Sequence, residues 1–107
     1  MTADEHSPLT VAVSHRGDVC VLTVTGELDA ATTAELESAI DSSGANAASV
    51  ELDMAGVSFI DSSGLRTLVM ARQTAEEVDR SFTITGSSKA VDRLLELTGL
   101  ESLRRTA

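Results

Sequence analysis

The amino-acid sequence predicts an α/β protein, a single mixed β-sheet with helices packed mainly on one side, in the order ββαβαβα. Three observations carry that expectation. Short stretches in which apolar and polar residues alternate recur along the chain, the period-2 signature of half-buried strands. Between the later ones lie stretches whose apolar residues fall three and four apart, as in a helix with one buried stripe. Strand, helix, strand then occurs twice in succession, and such crossovers are parallel and right-handed, which lays the helices over the sheet.

Residues 1 to 8 are polar, include the only proline, Pro8, and read as a flexible lead-in. Thr10 to Ser14 (TVAVS) and Val19 to Thr25 (VCVLTVT) alternate on either side of the turn-forming HRGD, so they make a hairpin that Gly26 ends. Ala30, Ala34, Leu36 and Ile40 give the stripe of a first helix, begun either by Asp29 as N-cap or by a capping box of Thr32 and Glu35. After the loop SSGANAA, Ser49 to Met54 sets Val50, Leu52 and Met54 against Glu51 and Asp53 as a strand. Ser62 to Val78 is the longest helix, with Leu65, Leu68, Val69, Arg72 and Ala75 or Glu76 at helical spacing and the Arg72 head in water. Ser81 to Thr85 (SFTIT) forms the last strand, and Ser87 or Ser88 caps a helix bearing Val91, Leu94, Leu95 and Thr98 that stops at Gly99. Leu100 and Leu103 dock as a short strand or turn, and residues 104 to 107 form a flexible tail.

A length of 107 residues is that of one domain, expected to span residues 1–107 and to bury roughly two thirds of the surface its unfolded chain exposes. Cys20 is the only cysteine, so no internal disulfide forms, and its setting in VCVLTV is that of a small core residue; a cytoplasmic location is expected. No apolar run is long enough to span a bilayer, so direct membrane insertion is not expected. A net charge of −9 repels nucleic-acid phosphates, and with Phe59 and Phe82 the only aromatics there are few bases-stacking surfaces. A protein partner with a basic surface suits this charge, the chain itself being a monomer or weak dimer.

Asp61-Ser62-Ser63-Gly64-Leu65 (DSSGL) joins the apolar run GVSFI to the long helix. Asp61 or Ser62 serves as N-cap there, and Gly64 sits where little side chain is tolerated. One cap leaves a hydroxyl over. If the turn from Gly26 to Asp29 also follows a strand of the same parallel set, Asp29 falls on the same rim as Ser62 and the two loops form an acidic, hydroxyl-bearing surface. A hydrolase nucleophile at Ser62 is disfavoured, because no glycine precedes it as a nucleophile elbow requires and the two histidines, His6 and His15, lie in the lead-in and a turn. Those histidines make no metal site, and no cofactor is expected. Gly86-Ser-Ser-Lys89 lacks the GK[ST] of a phosphate-binding loop and reads as a cap with one lysine, able to add a donor at the rim. The charges of EEVDR, residues 76 to 80, form a solvated helix end.

GELD at Gly26 to Asp29, with GVSFIDSSGL at Gly56 to Leu65 after the strand SVELDM, resembles the STAS domain family and more specifically its bacterial anti-sigma-factor antagonists. The resemblance covers almost the whole chain in element order and implies a STAS-type fold. It implies a regulator and not an enzyme: unmodified, the antagonist binds an anti-sigma factor that is also a serine kinase and thereby releases a sigma factor. Phosphorylation at the position matched by Ser62, with Ser63 as alternative acceptor, ends that binding, and a metal-dependent serine phosphatase restores it. The implied partner surface comprises Glu27, Asp29, Ser58, Asp61, Ser62, Ser63, Gly64, Leu65 and Arg66. Arg66 departs from the family pattern, standing where many antagonists carry a small residue, and the final helix of the family is expected to be shortened or absent. Alternative roles for the same fold are a non-phosphorylated STAS subunit of a membrane transport complex of the lipid ABC type and a scaffold subunit of a stress-sensing assembly.

Overall fold

In the computed structural model, which describes residues 8–104, the opening hairpin pairs β1 (Leu9–Arg16) with β2 (Val19–Leu28), Leu9 against Gly26 and Arg16 against Val19. Its two-residue turn begins at Gly17, whose φ of 63° suits glycine and lets the strands keep their natural twist. α1 (Thr33–Ser43) crosses to β3 (Ser49–Ile60), α2 (Ser62–Glu77) crosses to β4 (Ser81–Ser87), and α3 (Lys89–Thr98) leads to a 3-10 turn, Glu101–Leu103. The strands lie side by side in the order β1-β2-β3-β4, the first pair antiparallel and the rest parallel. This is the expected α/β class, one mixed sheet in ββαβαβα order.

The period-2 pattern decides which face is covered. Cys20, Leu22 and Val24 of β2, Val50, Leu52 and Met54 of β3, and Phe82 and Ile84 of β4 point one way and are buried beneath Leu36, Leu68, Val91 and Leu95 of the helices. Each such leucine removed from water contributes about 1.5–3 kcal/mol. Thr23, Thr25 and Thr85, on the alternate positions, remain exposed, so the helices occupy one side of the sheet.

The strands run further than alternation alone indicates. β2 continues through Gly26 to Leu28, and β3 continues from Met54 to Ile60. Register shifts against β2 interrupt the period-2 rhythm between Thr23 and Thr25 and between Gly26 and Glu27, after which Val57 and Ile60 return to the core. Gly26 is therefore a strand residue, not a terminator. Its φ of 110° and the Pro8 carbonyl oxygen, 1.9 Å from where a Cβ would lie, leave room for nothing but hydrogen. The same carbonyl accepts from the Glu27 N–H at 2.7 Å, so Pro8, expected to be part of a flexible lead-in, is docked. Residues 1–7 of that expected lead-in and 105–107 of the expected tail lie outside the described residues.

Other boundaries also differ. Of the two expected starts of α1, the one at Thr32 has the position right, Thr32 being the N-cap residue, but without the capping-box bonds, since its hydroxyl makes no cap bond; Asp29 is not the cap and instead accepts from the Ala31 N–H within its own turn. Ala30 and Ala34 are exposed, leaving Leu36 and the partly buried Ile40 to anchor α1. On α3, Thr98 is exposed and bonds back to the Leu94 carbonyl, while Ser88 is the cap and Gly99, at φ 72°, the left-handed stop. The Arg72 head does not simply trail in water, since Nη1 donates to the Ser102 hydroxyl at 3.0 Å. Leu103 docks as expected through a turn, buried to 1% exposure. Arg104, assigned to a loose tail, is held by a bridge to Ile84 and by a 2.6 Å ion pair to Asp92.

Candidate functional site

Parallel pairing of β2 with β3 ends at Leu28 opposite Ile60, and each is followed by an acid, Asp29 and Asp61. The two turns are stitched together by the Asp61 N–H donating to the Leu28 carbonyl at 3.3 Å. The expectation that the GELD and DSSGL turns share a rim is thus met, because neighbouring parallel strands deliver their C-terminal ends to one edge. On the β2 side the buried Thr32 hydroxyl braces the turn, donating to the Glu27 carbonyl and accepting from the Asp29 N–H, both at 2.9 Å.

At the head of α2 the capping role falls to Asp61. Its backbone is extended, at φ −118° and ψ −171°, and Oδ1 accepts from the Ser63 and Gly64 amides at 3.0 and 3.1 Å. That satisfies two of the free N–H groups every helix start exposes, and a carboxylate there also complements the positive end of the helix dipole. Ser62, first residue of the helix, is exposed and makes no side-chain hydrogen bond among the described residues. With Asp61 doing the capping, neither serine hydroxyl is needed by the cap, and Ser62's is the one that stands exposed. Ser63 is half-buried, and its carbonyl lies 3.2 Å from the Thr67 hydroxyl one turn on.

Gly64 makes the close approach possible. A Cβ there would stand 2.9 Å from Ile60 Cγ1, from Leu28 Cγ and from the Leu28 carbonyl oxygen, so any side chain would push α2 off the ends of β2 and β3. Leu65, only 8% exposed, is a core residue that fixes the turn and presents little to a visitor. Arg66 is exposed, and among the described residues it makes no ion pair. Ser58 lies on the same end of β3, its hydroxyl donating to the Gly26 carbonyl at 3.3 Å, and Glu27, exposed, pairs in register with Phe59.

Phe59 is an exposed residue of this rim that the alternation pattern does not single out. It is 47% exposed beside Glu27 and Ser58. The signal lay in the spacing of Val57 and Ile60, which turns both inward and leaves the two residues between them, Ser58 and Phe59, facing out.

The Gly86 to Lys89 turn does not join this rim. β4 pairs with β3 only as far as Met54 opposite Ser87, so the turn lies six residues short of Ile60 along β3. Both of its serines are engaged: Ser88 caps α3, accepting from the Val91 amide at 3.2 Å, and the Ser87 hydroxyl donates to Asp92 at 2.5 Å. That hydrogen bond, with the Arg104 guanidinium beside it, holds the Asp92 carboxyl below its usual range. His15 reaches the Ser43 carbonyl at the far end of α1, His6 lies outside the described residues, and no cluster of three metal-ligating side chains occurs among the described residues. Cys20 is buried, and burial pushes its thiol pKa up, as for an inert core residue. Among the described residues no helix is long and apolar enough to cross a membrane.

Comparison with known proteins gives a consistent answer. A family profile described as "Mlab, STAS domain" matches residues 11–105. The chain is 31% identical over 96 residues to an anti-sigma-B factor antagonist of Staphylococcus epidermidis, covering 89% of each. It is 33% identical over 100 residues to the anti-sigma-F factor antagonist RsfB of Mycobacterium tuberculosis, covering 91% of this chain and 80% of that one. The crystal structure of an anti-sigma factor antagonist from Mycobacterium paratuberculosis superposes with a TM-score of 0.79 at 28% identity, over 90% of this chain and 82% of the other. With a profile spanning nearly its whole length and relatives of this kind, the chain belongs to the STAS domain family, on the branch of its bacterial anti-sigma-factor antagonists.

Proposed function

We propose that this chain is a phosphorylation-controlled antagonist of an anti-sigma factor. Unmodified, it binds an anti-sigma factor that is also a serine kinase and so releases a sigma factor; a phosphate on Ser62 ends the binding, and a metal-dependent serine phosphatase removes it. The observation that carries this reading is the division of labour at α2, where Asp61 does the capping and Ser62 keeps an exposed, unbonded hydroxyl. Ser63, half-buried, is the alternative acceptor. The partner surface is the rim of Glu27, Asp29, Ser58, Asp61, Ser62 and Arg66, with Ser63, Gly64 and Leu65 shaping it. The chain works in the cytoplasm as a monomer or weak dimer and catalyses nothing itself.

The physics of the switch is local. A phosphate brings about −1.5 to −2 charges and is tolerated beside the free amides and positive dipole end of a helix start. Its cost falls on the complex. Each like-charge pair at about 6 Å and an effective dielectric near 20 costs on the order of 3 kcal/mol, so two such pairs weaken a nanomolar complex at least a hundredfold even after solvent screening. No rearrangement of the sheet is needed.

Incubation with its anti-sigma kinase and ATP is expected to label one serine, which peptide mass spectrometry assigns to Ser62 and Ser62→Ala abolishes. Unchanged labelling in Ser62→Ala, with none at Ser63, would remove the reading. A second reading, a STAS subunit of a membrane transport complex, draws on the Mlab description of the matching family. Affinity capture separates the two, a histidine-kinase-like ATPase supporting the first and a transporter ATPase the second.

A further inference from the structure

α2 carries two stripes, and the sheet uses only one. Leu65, Leu68 and Ala75 pack into the core. Thr67, Met70, Ala71 and Thr74, with Val78 at the C-cap of the helix, spaced by three, four and seven, turn instead toward α1 across a groove of about 500 Å³ floored by Val50 and Phe82. The groove does not close because its α2 wall is small in the middle, at Ala71 and Thr74, while its α1 wall bears Glu37 and Asp41, one turn apart, around Ile40. Met70 and Val78 stand 52% and 57% exposed along it.

Charge distinguishes the two ends. Arg80 closes the lower end, but its Nε and Nη2 are committed to the Ala47 and Ala45 carbonyls at 2.9 and 2.6 Å. Glu37 and Asp41 form no ion pair among the described residues; the one side-chain bond to Glu37 comes from the Thr67 hydroxyl at 3.3 Å. An apolar trough bordered by two unpaired carboxylates is matched by an apolar surface flanked by cations. The run from Thr67 to Val78 is about 16 Å at 1.5 Å per residue, three helical turns. A small molecule would have most of its surface enclosed, whereas a trough this exposed along one wall suits a helix laid lengthwise.

We propose that the groove between α1 and α2 is a docking site for a three-turn amphipathic helix of a protein partner. Its apolar residues at i, i+4, i+7 and i+11 seat against Met70, Ala71 and Val78. Lysines or arginines on its flank meet Glu37 and Asp41. This surface is separate from the Ser62 rim and stands whether or not Ser62 is phosphorylated.

The test is fluorescence anisotropy with a stapled 15-residue helix bearing leucines at positions 3, 7, 10 and 14 and lysines on one flank. Two control peptides accompany it, one with each lysine replaced by glutamate and one with the same composition scrambled. Micromolar binding of the lysine helix, at least tenfold weaker for both controls, is expected. Met70→Ser with Val78→Ser, both at exposed positions that leave the core intact, should weaken it about tenfold or more, and Glu37→Gln with Asp41→Asn should erase the preference for lysine over glutamate. Amide shifts of the labelled protein should cluster on residues 37–41 and 67–78. Equal binding of the scrambled helix, shifts centred on the Ser62 rim, a self-dimer that Met70→Ser disrupts, or no binding at all would each overturn the proposal.

Discussion

Two helices of this fold begin with a pair of serines, and the two beginnings do opposite things. At α3, Ser88 is the cap and Ser87 holds Asp92, so both hydroxyls are consumed by the fold. At α2, Asp61 takes the capping bonds and Ser62 is left exposed and unbonded. The difference lies in the residue before the serines, Gly86 in one case and Asp61 in the other. A carboxylate with the right backbone conformation displaces a hydroxyl from structural duty, and only then is the hydroxyl available for other chemistry.

Substitutions can break or sharpen this contrast. The largest effect is expected from Gly64→Ala, because the new methyl meets the Leu28 carbonyl and two core side chains at 2.9 Å; loss of about 2–3 kcal/mol in urea unfolding is expected. Gly86→Ala meets Asp53 Oδ1, an atom of a flexible partly buried side chain, and is expected to cost less. Next come the two caps: Asp61→Ala and Ser88→Ala should each cost about 1 kcal/mol. Cap loss at α2 with no stability change would mean Ser62 takes over the bonds, and the hydroxyl would no longer be spare.

Asp92→Asn is expected to cost less than about 1 kcal/mol, since its ion pair with Arg104 is partly solvated. Its signature is in the pH dependence. The folded pKa of Asp92 is lowered below the ordinary 3.8, so its contribution is present above that value and is lost as pH falls through the folded value. The stability difference between wild type and Asp92→Asn should accordingly shrink below about pH 4, as thermal melts would record. The smallest effect belongs to Ser62→Ala, expected within about 0.5 kcal/mol of wild type. A loss near that of Ser88→Ala would put Ser62 in the same structural class as its counterpart.

Element order and the covered face of the sheet were legible because periodicity is strong wherever one face meets a core: Val50, Leu52 and Met54 read as they pack. The bulged ends of β2 and β3 were not, since two register shifts break the alternation that identifies a strand, and Gly26, which reads as a terminator, is kept by a contact with Pro8 eighteen residues away in sequence. That is a tertiary constraint and leaves no local mark. Two acids ending adjacent parallel strands made the rim of Asp29 and Asp61 readable, and GSSK was readable as a cap but not as lying away from the rim, because that depends on β4 being shorter than β3. Asp61 and Ser62 are equally good caps by residue type, and only the three-dimensional course of the backbone, which aims Oδ1 of Asp61 at the Ser63 and Gly64 amides, decides between them. Arg104 carries no local sign of order and gains its place only from Asp92 and Ile84 across the fold.

The most direct test of the switch is to install phosphoserine at position 62 and compare, by calorimetry, its affinity for the anti-sigma kinase with that of the unmodified chain, recording amide spectra of both. The account predicts binding weakened at least a hundredfold with spectral changes confined to residues around the Asp29 and Asp61 turns. Equal affinity, or weakened binding accompanied by shifts throughout the sheet, would contradict it.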